Sequence, residues 1–204
     1  MLLIENLLCS SESYTSKINL RYFCCNNGSA VILDGDKITR NLFYAIIGGQ
    51  ADCDGMKLSY DDELQNRESC RQLVSEMTAL SFLYPLLSVR ENLFYFGGLN
   101  GLTKDLVVNK INWFLHYFDI TPFWDKRADI LSSGEQALIN LLCAVLKIPR
   151  ILCILPDFIN TVTETDVENY AQIFHDLQKS GTIFIAGKSW ETCFKGPKTE
   201  LILN

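Results

Sequence analysis

The residues best suited to chemistry in this chain form a serine- and glycine-containing turn, Leu131-Ser132-Ser133-Gly134-Glu135, directly before an apolar helix. The hydroxyl of Ser132 can donate to a phosphate oxygen, and Gly134 permits close approach of the backbone. Backbone N–H groups and the helix dipole make a helix N-terminus favourable for an anion. The turn therefore indicates an anion site, and its alternative interpretation is a serine-capped helix start without a ligand.

A second candidate for phosphate binding lies between a buried strand at 30–34 and a predicted helix over 41–47. A phosphate-binding loop needs glycines for backbone approach, a lysine for charge and a hydroxyl for Mg²⁺. This segment lacks the second glycine and carries Asp36 where an anion would sit. Asn41 stands near the position at which a phosphate-binding loop has its Mg²⁺-binding hydroxyl. Two interpretations remain open, a structural turn and an altered nucleotide site. The candidate residues are Gly35, Asp36, Lys37, Thr39, Arg40 and Asn41.

Composition narrows the class of protein. The chain has 204 residues, 48% of them hydrophobic and 21% charged, which suits one globular domain with a substantial core. The formal net charge of −6 argues against nucleic acid as the main partner, which usually needs a basic surface. We expect no membrane span, because no run of 18 apolar residues is free of charge. We expect no signal peptide either, because Glu5 lies inside the opening apolar stretch and that stretch has no basic n-region.

The eight cysteines predict neither a metal site nor a disulfide framework. No pair has CxxC spacing, and the two histidines, His116 and His175, lie far from them in sequence. Cys143 and Cys153 fall within apolar runs, where cysteine acts as a small core residue. We expect reduced thiols, as in a cytosolic protein, and no bound metal.

Periodicity predicts an α/β fold. Continuous apolar runs such as 151–155 and 182–186 are typical of buried parallel strands. Ser88 followed by Glu91 is a capping-box pattern at the start of a helix. We expect a P-loop NTPase-like, mostly parallel sheet with a small antiparallel β portion and a helical subdomain. The predicted strands are 1–8, 17–24, 30–33, 56–58, 151–155, 182–186 and 200–203, and the helices are 41–47, 88–96, 103–117, 135–146 and 164–178.

Four landmarks in order resemble an ABC transporter nucleotide-binding domain over essentially the whole chain. They are the strand, Gly35 and helix of the second candidate site, the segment Leu87-Ser88-Val89-Arg90-Glu91-Asn92-Leu93, the turn Leu131–Glu135, and the strands around Ile154 and Phe184. The second landmark is similar to the LTVxENL segment of that family, and the third to its signature turn. The resemblance implies a core over about 1–75 and 147–204 and a helical subdomain over about 76–146.

Within the family, the short length and the opening Leu7-Leu8-Cys9 most resemble CcmA, the small subunit associated with haem export and cytochrome c maturation. In the family, two such domains sandwich ATP, with the signature turn of one facing the γ-phosphate held by the other. The resemblance implies an integral membrane transporter subunit as partner and a homo- or heterodimer of ABC domains. It also implies a cytoplasmic location, peripheral to the inner face of the cell membrane.

Several positions depart from the family pattern. Pro156 and Asp157 stand where the family has the Mg²⁺-binding aspartate and the glutamate that positions water, which leaves Asp157 as a candidate catalytic residue and Mg²⁺ binding doubtful. No glutamine occurs over 77–82, and Lys188 lies nearest the family's switch histidine. Lys188 could contact a phosphate, or it could be an exposed lysine at a strand end. These departures together predict weak ATP binding and little or no hydrolysis.

Two other functions remain open from the sequence. One is a non-enzymatic adaptor or regulatory module that keeps the fold and binds only proteins. The other is an active ATPase with a rearranged loop that uses Lys37 or Arg40. The helical region is also rich in aromatic residues, which pack in the core or form part of a groove for the membrane partner. These residues are Phe94, Tyr95, Phe96, Trp113, Phe114, Tyr117, Phe118, Phe123 and Trp124.

Overall fold

The computed structural model describes residues 1–11, 16–77, 82–155, 162–163 and 166–203. Within these residues the chain forms two β-sheets and six α-helices. The predicted Asp157, and most of the segment expected to contain a glutamine, lie outside the described residues. The described part of the chain contains no helix with both the length and the apolar character of a membrane span.

The larger sheet has five strands in the order β6-β7-β8-β3-β9. Its neighbouring strands pair in parallel, as in Val31 with Ile185 and Cys153 with Ile185. Every residue of β7 and β8 is buried, which explains why these strands read as continuous apolar runs. The predicted α/β fold with a mostly parallel sheet is confirmed. The strands are β3 (Ala30–Asp34), β6 (Val74–Met77), β7 (Ile151–Ile154), β8 (Ile183–Gly187) and β9 (Lys198–Ile202).

The smaller sheet is antiparallel and has the order β2-β1-β4-β5. It is the antiparallel portion expected from the sequence. Leu2, Ile4 and Leu7 of its first strand are fully buried in the core that this sheet shares with the first helix. The strands are β1 (Leu2–Ser11), β2 (Ser16–Cys25), β4 (Lys57–Tyr60) and β5 (Glu63–Gln65).

The helices pack on both faces of the parallel sheet. Leu152 and Ile154 face a core with the helices of the central region, whereas Ile151 and Cys153 face the core that contains α1. Side chains of one strand alternate between the two cores because successive residues of a strand point to opposite faces. The helices are α1 (Lys37–Ile47), α2 (Arg67–Leu73), α3 (Val89–Leu99), α4 (Lys104–Phe114), α5 (Ser133–Val145) and α6 (Val167–Lys179).

The predicted aromatic cluster is mostly core. Phe114, Phe118 and Phe123 are buried, and Phe94, Phe96, Trp113, Tyr117 and Trp124 pack against the same core. Tyr95 is the exception, with 41% of its surface exposed. Cys143 and Cys153 are buried core residues as predicted, and all eight cysteines are free thiols.

The structure differs from the sequence-based expectation in two regions. Residues 63–77 form β5, α2 and β6, although this polar stretch predicted none of them. Only Cys70 is buried in α2, so the helix has no apolar stripe to detect. The first helix begins at Lys37 and not at 41, because Asp36 caps it there. Most of the candidate phosphate-binding segment is therefore helical.

Candidate functional site

The segment between β3 and α1 is a tight turn. Gly35 has a φ of +148°, and a Cβ at this position would lie 3.1 Å from the carbonyl oxygen of Leu203. Only glycine fits both the backbone conformation and the close approach of the last strand. The chain therefore passes from β3 to α1 through Gly35 and Asp36 alone.

Asp36 closes the N-terminus of α1 with its own carboxylate. Its Oδ1 accepts hydrogen bonds from the backbone N–H of Ile38 at 2.8 Å and of Thr39 at 3.0 Å, and its Oδ2 accepts from the Thr39 hydroxyl. The Thr39 hydroxyl and then its N–H hold the pKa of Asp36 below its ordinary value, so the group is ionised at neutral pH. The N–H groups that could face a phosphate are thus already bonded to an anion.

The other candidate residues of this segment do not form a phosphate cradle. Arg40 turns back and donates from Nη1 to the carbonyl oxygen of Gly35 at 2.8 Å. Lys37 is exposed on the first turn of α1, and Asn41 is half-buried one turn further along. The Thr39 hydroxyl, the oxygen that could approach a Mg²⁺ ion, is buried and bonded to Asp36. These residues do not fit Mg²⁺-ATP in the arrangement that the structure shows.

Lys188, the candidate at the end of β8, is held by two carboxylates. Its Nζ lies 2.8 Å from Oδ2 of Asp34 and 2.9 Å from Oε1 of Glu200. The hydrogen bonds to Asp34 and then to Glu200 raise the pKa of Lys188 well above its ordinary value. The same contact, with a further contribution from the charge of Arg40, lowers the pKa of Asp34. Lys188 is therefore already matched by carboxylates of the chain, whereas Arg40 binds the backbone carbonyl oxygen of Gly35.

A buried tyrosine, which the sequence did not single out, fixes α1 against the end of β7. The hydroxyl of Tyr44 donates to the carbonyl oxygen of Ile154 at 3.0 Å. Burial raises the pKa of Tyr44, so the phenol remains neutral and serves as a donor. A tyrosine within an apolar helix reads as core, and no local pattern in the sequence indicates its distant acceptor.

The turn Leu131–Glu135 forms the N-terminus of α5. The Oγ of Ser132 accepts from the N–H of Glu135 at 3.3 Å, and Oε2 of Glu135 accepts from the N–H and the hydroxyl of Ser132 at 2.7 and 2.9 Å. The backbone hydrogen bond from Ser132 is the main cause of a lowered pKa at Glu135. This reciprocal arrangement is a capping box, so a serine caps the helix, and the binding of an anion at the turn stays a prediction.

The capping box does not occupy the whole helix end. It uses the N–H of Glu135, whereas Ser133 and Gly134 precede it in the first turn, where N–H groups have no partner within the helix. Ser132 and Ser133 are exposed, and Leu131 is buried beneath them. The two helix ends differ in this respect. At α1 the Asp36 carboxylate accepts from two N–H groups of the helix, whereas at α5 the Ser132 hydroxyl accepts from one and the Glu135 carboxylate bonds to Ser132.

Sequence comparison finds relatives of this chain among ABC transporter ATP-binding proteins. The chain is 32% identical over 103 residues to an uncharacterised ABC transporter ATP-binding protein of Alkalihalophilus pseudofirmus, and 33% identical over 99 residues to the uncharacterised ABC transporter ATP-binding protein YhaQ of Bacillus subtilis. These matches cover 50% and 48% of the chain, and 38% and 33% of the relatives. The spermidine/putrescine import ATP-binding protein PotA of Acetivibrio thermocellus is 23% identical over 150 residues, which are 73% of the chain and 43% of PotA. No protein-family profile matches the chain.

Solved structures share the fold over the whole chain. A structure described as the ATP-binding subunit of an ABC transporter superposes with a TM-score of 0.82 at 16% identity, covering 100% of this chain and 85% of that one. CbiO1 of Clostridium perfringens, described as part of the ABC transporter complex CbiONQ, gives a TM-score of 0.68 at 14% identity and covers 84% of CbiO1. The chain therefore has the fold of ABC transporter ATP-binding subunits and is similar in sequence to proteins of that class. It spans less than half the length of the curated relatives that it matches.

Proposed function

We propose that this chain is an ATP-binding-cassette subunit of a membrane transport complex that does not hydrolyse ATP at its own loop. The observation that carries the proposal is the Asp36 carboxylate on the N–H groups of Ile38 and Thr39. The fold and the relatives support membership of the class, and the closed helix end argues against its usual chemistry at this position. The role left for the chain is to contribute the α5 turn to a nucleotide held by a second subunit.

Electrostatics explains why a closed α1 and a bound nucleotide exclude each other. Asp36 is ionised at neutral pH and like charges repel each other, so a phosphate beside its carboxylate would be disfavoured. Loss of one transition-state contact alone typically lowers the rate by about 10²–10³-fold. Arg40 and Lys188 bind groups of the chain itself, so Lys37 is the cation that remains exposed beside Asp36.

The α5 turn supports the second half of the proposal. Its exposed serines and the N–H groups of Ser133 and Gly134 lie at the positive end of a helix dipole, which favours an anion from outside the chain. In a homodimer both loops would be closed by Asp36, and no site would bind nucleotide tightly. A complex with a second, intact ABC subunit is therefore the assembly in which this turn would contact a bound nucleotide.

The resemblance to CcmA supports a proposal for the transported molecule and for the location of the chain. We propose that the complex takes part in haem export during cytochrome c maturation and that the chain lies at the inner face of the cell membrane. An integral membrane subunit would be its partner. The net charge of −6 suits contact with the basic cytoplasmic segments typical of membrane proteins.

The first experiment is thermal unfolding of the purified chain with and without millimolar Mg-ATP, followed by a phosphate-release assay. A ligand at 100 times its dissociation constant stabilises a protein by about 2.7 kcal/mol, which such an experiment readily detects. We expect no shift and no turnover. A clear shift with turnover lost in Arg40→Ala or Lys37→Ala would instead support a rearranged ATPase.

A genetic test separates a transport subunit from an adaptor. Deleting the coding sequence in the source organism should reduce covalently haem-bearing cytochrome c, as measured by haem staining. Asp36→Asn should restore it, because the loop is not used for nucleotide, whereas Gly134→Asp should not, because it adds a charge to the α5 turn. Restoration by both variants would favour the adaptor, and unchanged haem staining in the deletion strain would contradict the assigned cargo.

A further inference from the structure

Three of the eight cysteines reach the surface of the chain. Cys24 is exposed and Cys9 and Cys53 are half-buried, whereas the other five lie in the core. Cys24 precedes Cys25 in sequence, but successive residues of β2 point to opposite faces of the sheet, so these two thiols face apart. Cys9 and Cys53 are therefore the accessible thiols that can form a pair within the chain.

The fold brings Cys9 and Cys53 together from distant parts of the sequence. Cys9 lies near the end of β1, and Cys53 lies in the connection between α1 and β4. The antiparallel pairing of β1 with β4 ends with Glu5 opposite Lys57, and the chain beyond this pair leads forward to Cys9 and back to Cys53. The N–H of Met56 donates to the carbonyl oxygen of Cys53 at 3.3 Å, so a turn separates Cys53 from β4. Both cysteines pack against the core beneath this sheet.

The thiols of Cys9 and Cys53 are in contact. They hydrogen-bond to each other, and the backbone N–H of Leu8 donates to the sulfur of Cys53. These two contacts hold the Cys53 sulfur beside β1. Two cysteines can be bridged without movement of the backbone only where they already lie close and point toward each other. The contact therefore meets the first requirement of a disulfide within the chain.

A surface cavity of about 300 Å³ leads to Cys9. Its wall includes the exposed, positively charged side chain of Lys17, and Cys53 is not among the described residues that line it. A reagent from solvent can therefore reach Cys9 first, and the ammonium group of Lys17 favours a reagent with negative charge. The lining residues are Leu8, Cys9, Lys17, Ile18 and Asn19.

The environment of Cys53 suits it to react second. Burial, and then the charge of Cys9, raises the pKa of the Cys53 thiol to about 11. The thiolate is the nucleophile in thiol–disulfide exchange, so Cys53 is a poor first nucleophile at neutral pH. Its pKa should fall once Cys9 is bound in a disulfide, because the Cys9 sulfur then carries no charge.

We propose that Cys9 and Cys53 form a reversible disulfide by exchange with an anionic low-molecular-weight disulfide such as glutathione disulfide. The Cys9 thiolate attacks one sulfur of the reagent, which breaks the S–S bond of the reagent and releases one thiolate. The Cys53 thiolate then attacks the Cys9 sulfur and releases the second thiolate. The protein pair is thereby oxidised by two electrons, and the reagent is reduced to two thiols that take up the two protons. The new bond ties β1 to the connection after α1, whether or not the chain binds nucleotide.

The test treats the reduced, folded chain with glutathione disulfide at neutral pH, blocks the remaining thiols by alkylation and maps the products by mass spectrometry. We expect two peptides joined through Cys9 and Cys53, lighter by two hydrogen atoms than the separate thiol peptides and separated again by dithiothreitol. Cys24 should carry glutathione instead, because Cys25 lies on the opposite face of β2. Accumulation of glutathione on Cys9 of the wild type without a cross-link would overturn the proposal.

Serine variants test the order of attack. Cys53→Ser should trap glutathione on Cys9, because no second thiol is in contact with it. Cys9→Ser should slow the reaction of Cys53 at least about tenfold, because the thiol with the raised pKa must then react first. Cys24→Ser is the matched control and should leave the cross-link unchanged. An equal rate of reaction at Cys53 in the wild type and in Cys9→Ser would contradict a route through Cys9.

A second arm separates a bond that the fold directs from one that forms after unfolding. The same treatment in denaturing urea should give many pairings among the eight cysteines, whereas the folded chain should give one. The oxidised chain should also unfold at a higher urea concentration than the reduced chain, because the bond joins positions far apart in sequence and restricts the unfolded state. The same mixture of pairings from the folded chain, or a lower urea midpoint after oxidation, would show that the bond does not fit the fold and would defeat the assignment.

Discussion

The Oδ1 atom of Asp36 and the backbone nitrogen of Thr39 lie 3.0 Å apart, so the first helix begins with a carboxylate of the chain bonded to its N–H groups. The same carboxylate also accepts from the N–H of Ile38. A side chain of the chain thereby takes the position that an external anion would need. The contact also has a structural role, because it satisfies helix N–H groups that otherwise have no partner.

We therefore predict that Asp36→Ala destabilises the chain by about 1 kcal/mol, the usual effect of losing an N-cap. Asparagine can accept the same hydrogen bonds, so Asp36→Asn should stay within about 0.5 kcal/mol of the wild type. Urea denaturation at pH 7 measures both variants. A wild-type midpoint for Asp36→Ala would mean that the cap contributes nothing to stability.

A second prediction concerns Glu76 on β6 and the way in which its ionisation makes the stability of the chain depend on pH. Burial raises its folded-state pKa above the ordinary value of 4.5, so the folded chain binds this proton more tightly than the unfolded chain does. The contribution of the group to stability is therefore complete below pH 4.5 and is lost as the pH rises through the raised pKa. Glu76→Gln should therefore raise the free energy of unfolding at pH 7.5, and with it the Tm, by less than about 1 kcal/mol because the group is partly exposed. The gain should vanish near pH 4.5.

Thermal unfolding of both proteins between pH 4.5 and 7.5 checks this dependence, with Glu63→Gln as the exposed control. A difference between wild type and Glu76→Gln that does not vary with pH would show that the carboxylate is not desolvated in the folded chain. An equal gain in the Glu63→Gln control would assign the effect to overall net charge.

Two adjacent glycines of α3 provide a matched pair for a packing prediction. A Cβ at Gly97 would lie 2.3 Å from Cγ2 of Val107 on α4, whereas a Cβ at Gly98 would meet no atom within 4 Å. Gly97→Ala should destabilise the chain by about 1–3 kcal/mol through overpacking. Gly98→Ala should stabilise it by about 0.5–1 kcal/mol, because alanine favours the helix more than glycine does.

The double variant Gly97→Ala with Val107→Ala tests the cause. If the clash with Val107 is responsible, the shorter side chain should recover part of the loss, and the two changes should not be additive. Additive losses in urea denaturation would show that Gly97 is needed for its backbone and not for the helix contact.

The sequence predicted the elements whose pattern is local and left out those that depend on distant contacts. The strands at 151–154 and 183–187 are apolar throughout, and Ser88 and Glu91 form the predicted capping box. By contrast, β6 lies at a sheet edge and mixes Ser75 and Glu76 with apolar residues, so its pattern favours no structure. Its pairing with β7, far along the chain, decides its conformation.

The same distinction applies to the site. The sequence placed Asp36 where a phosphate would sit, because the position is part of a local motif. It did not predict that Lys188 would be held by Asp34 and Glu200, since these residues meet only when β3, β8 and β9 align in the sheet. The exposed interpretation of Lys188 agrees with its position, and its proposed phosphate contact stays a prediction.

The last prediction concerns Asn92, which holds the loop over residues 84–88 before α3. Its buried Oδ1 accepts from the N–H of Tyr84 at 2.8 Å, and its Nδ2 lies 3.0–3.2 Å from the carbonyl oxygens of Tyr84, Leu87 and Ser88. Asn92→Ala removes these bonds and should cost about 2–3 kcal/mol, because it leaves buried polar groups without partners.

Hydrogen exchange should show where the loss occurs. The amides of residues 84–88 should exchange faster in Asn92→Ala than in the wild type, because Asn92 no longer bonds to the backbone of this loop. Asn100→Ala is the control, since its exposed amide donates only to Phe96 of the same helix and its loss should cost less than about 0.5 kcal/mol. If exchange rises equally throughout the chain in Asn92→Ala, the residue stabilises the whole fold and does not specifically hold the loop over residues 84–88.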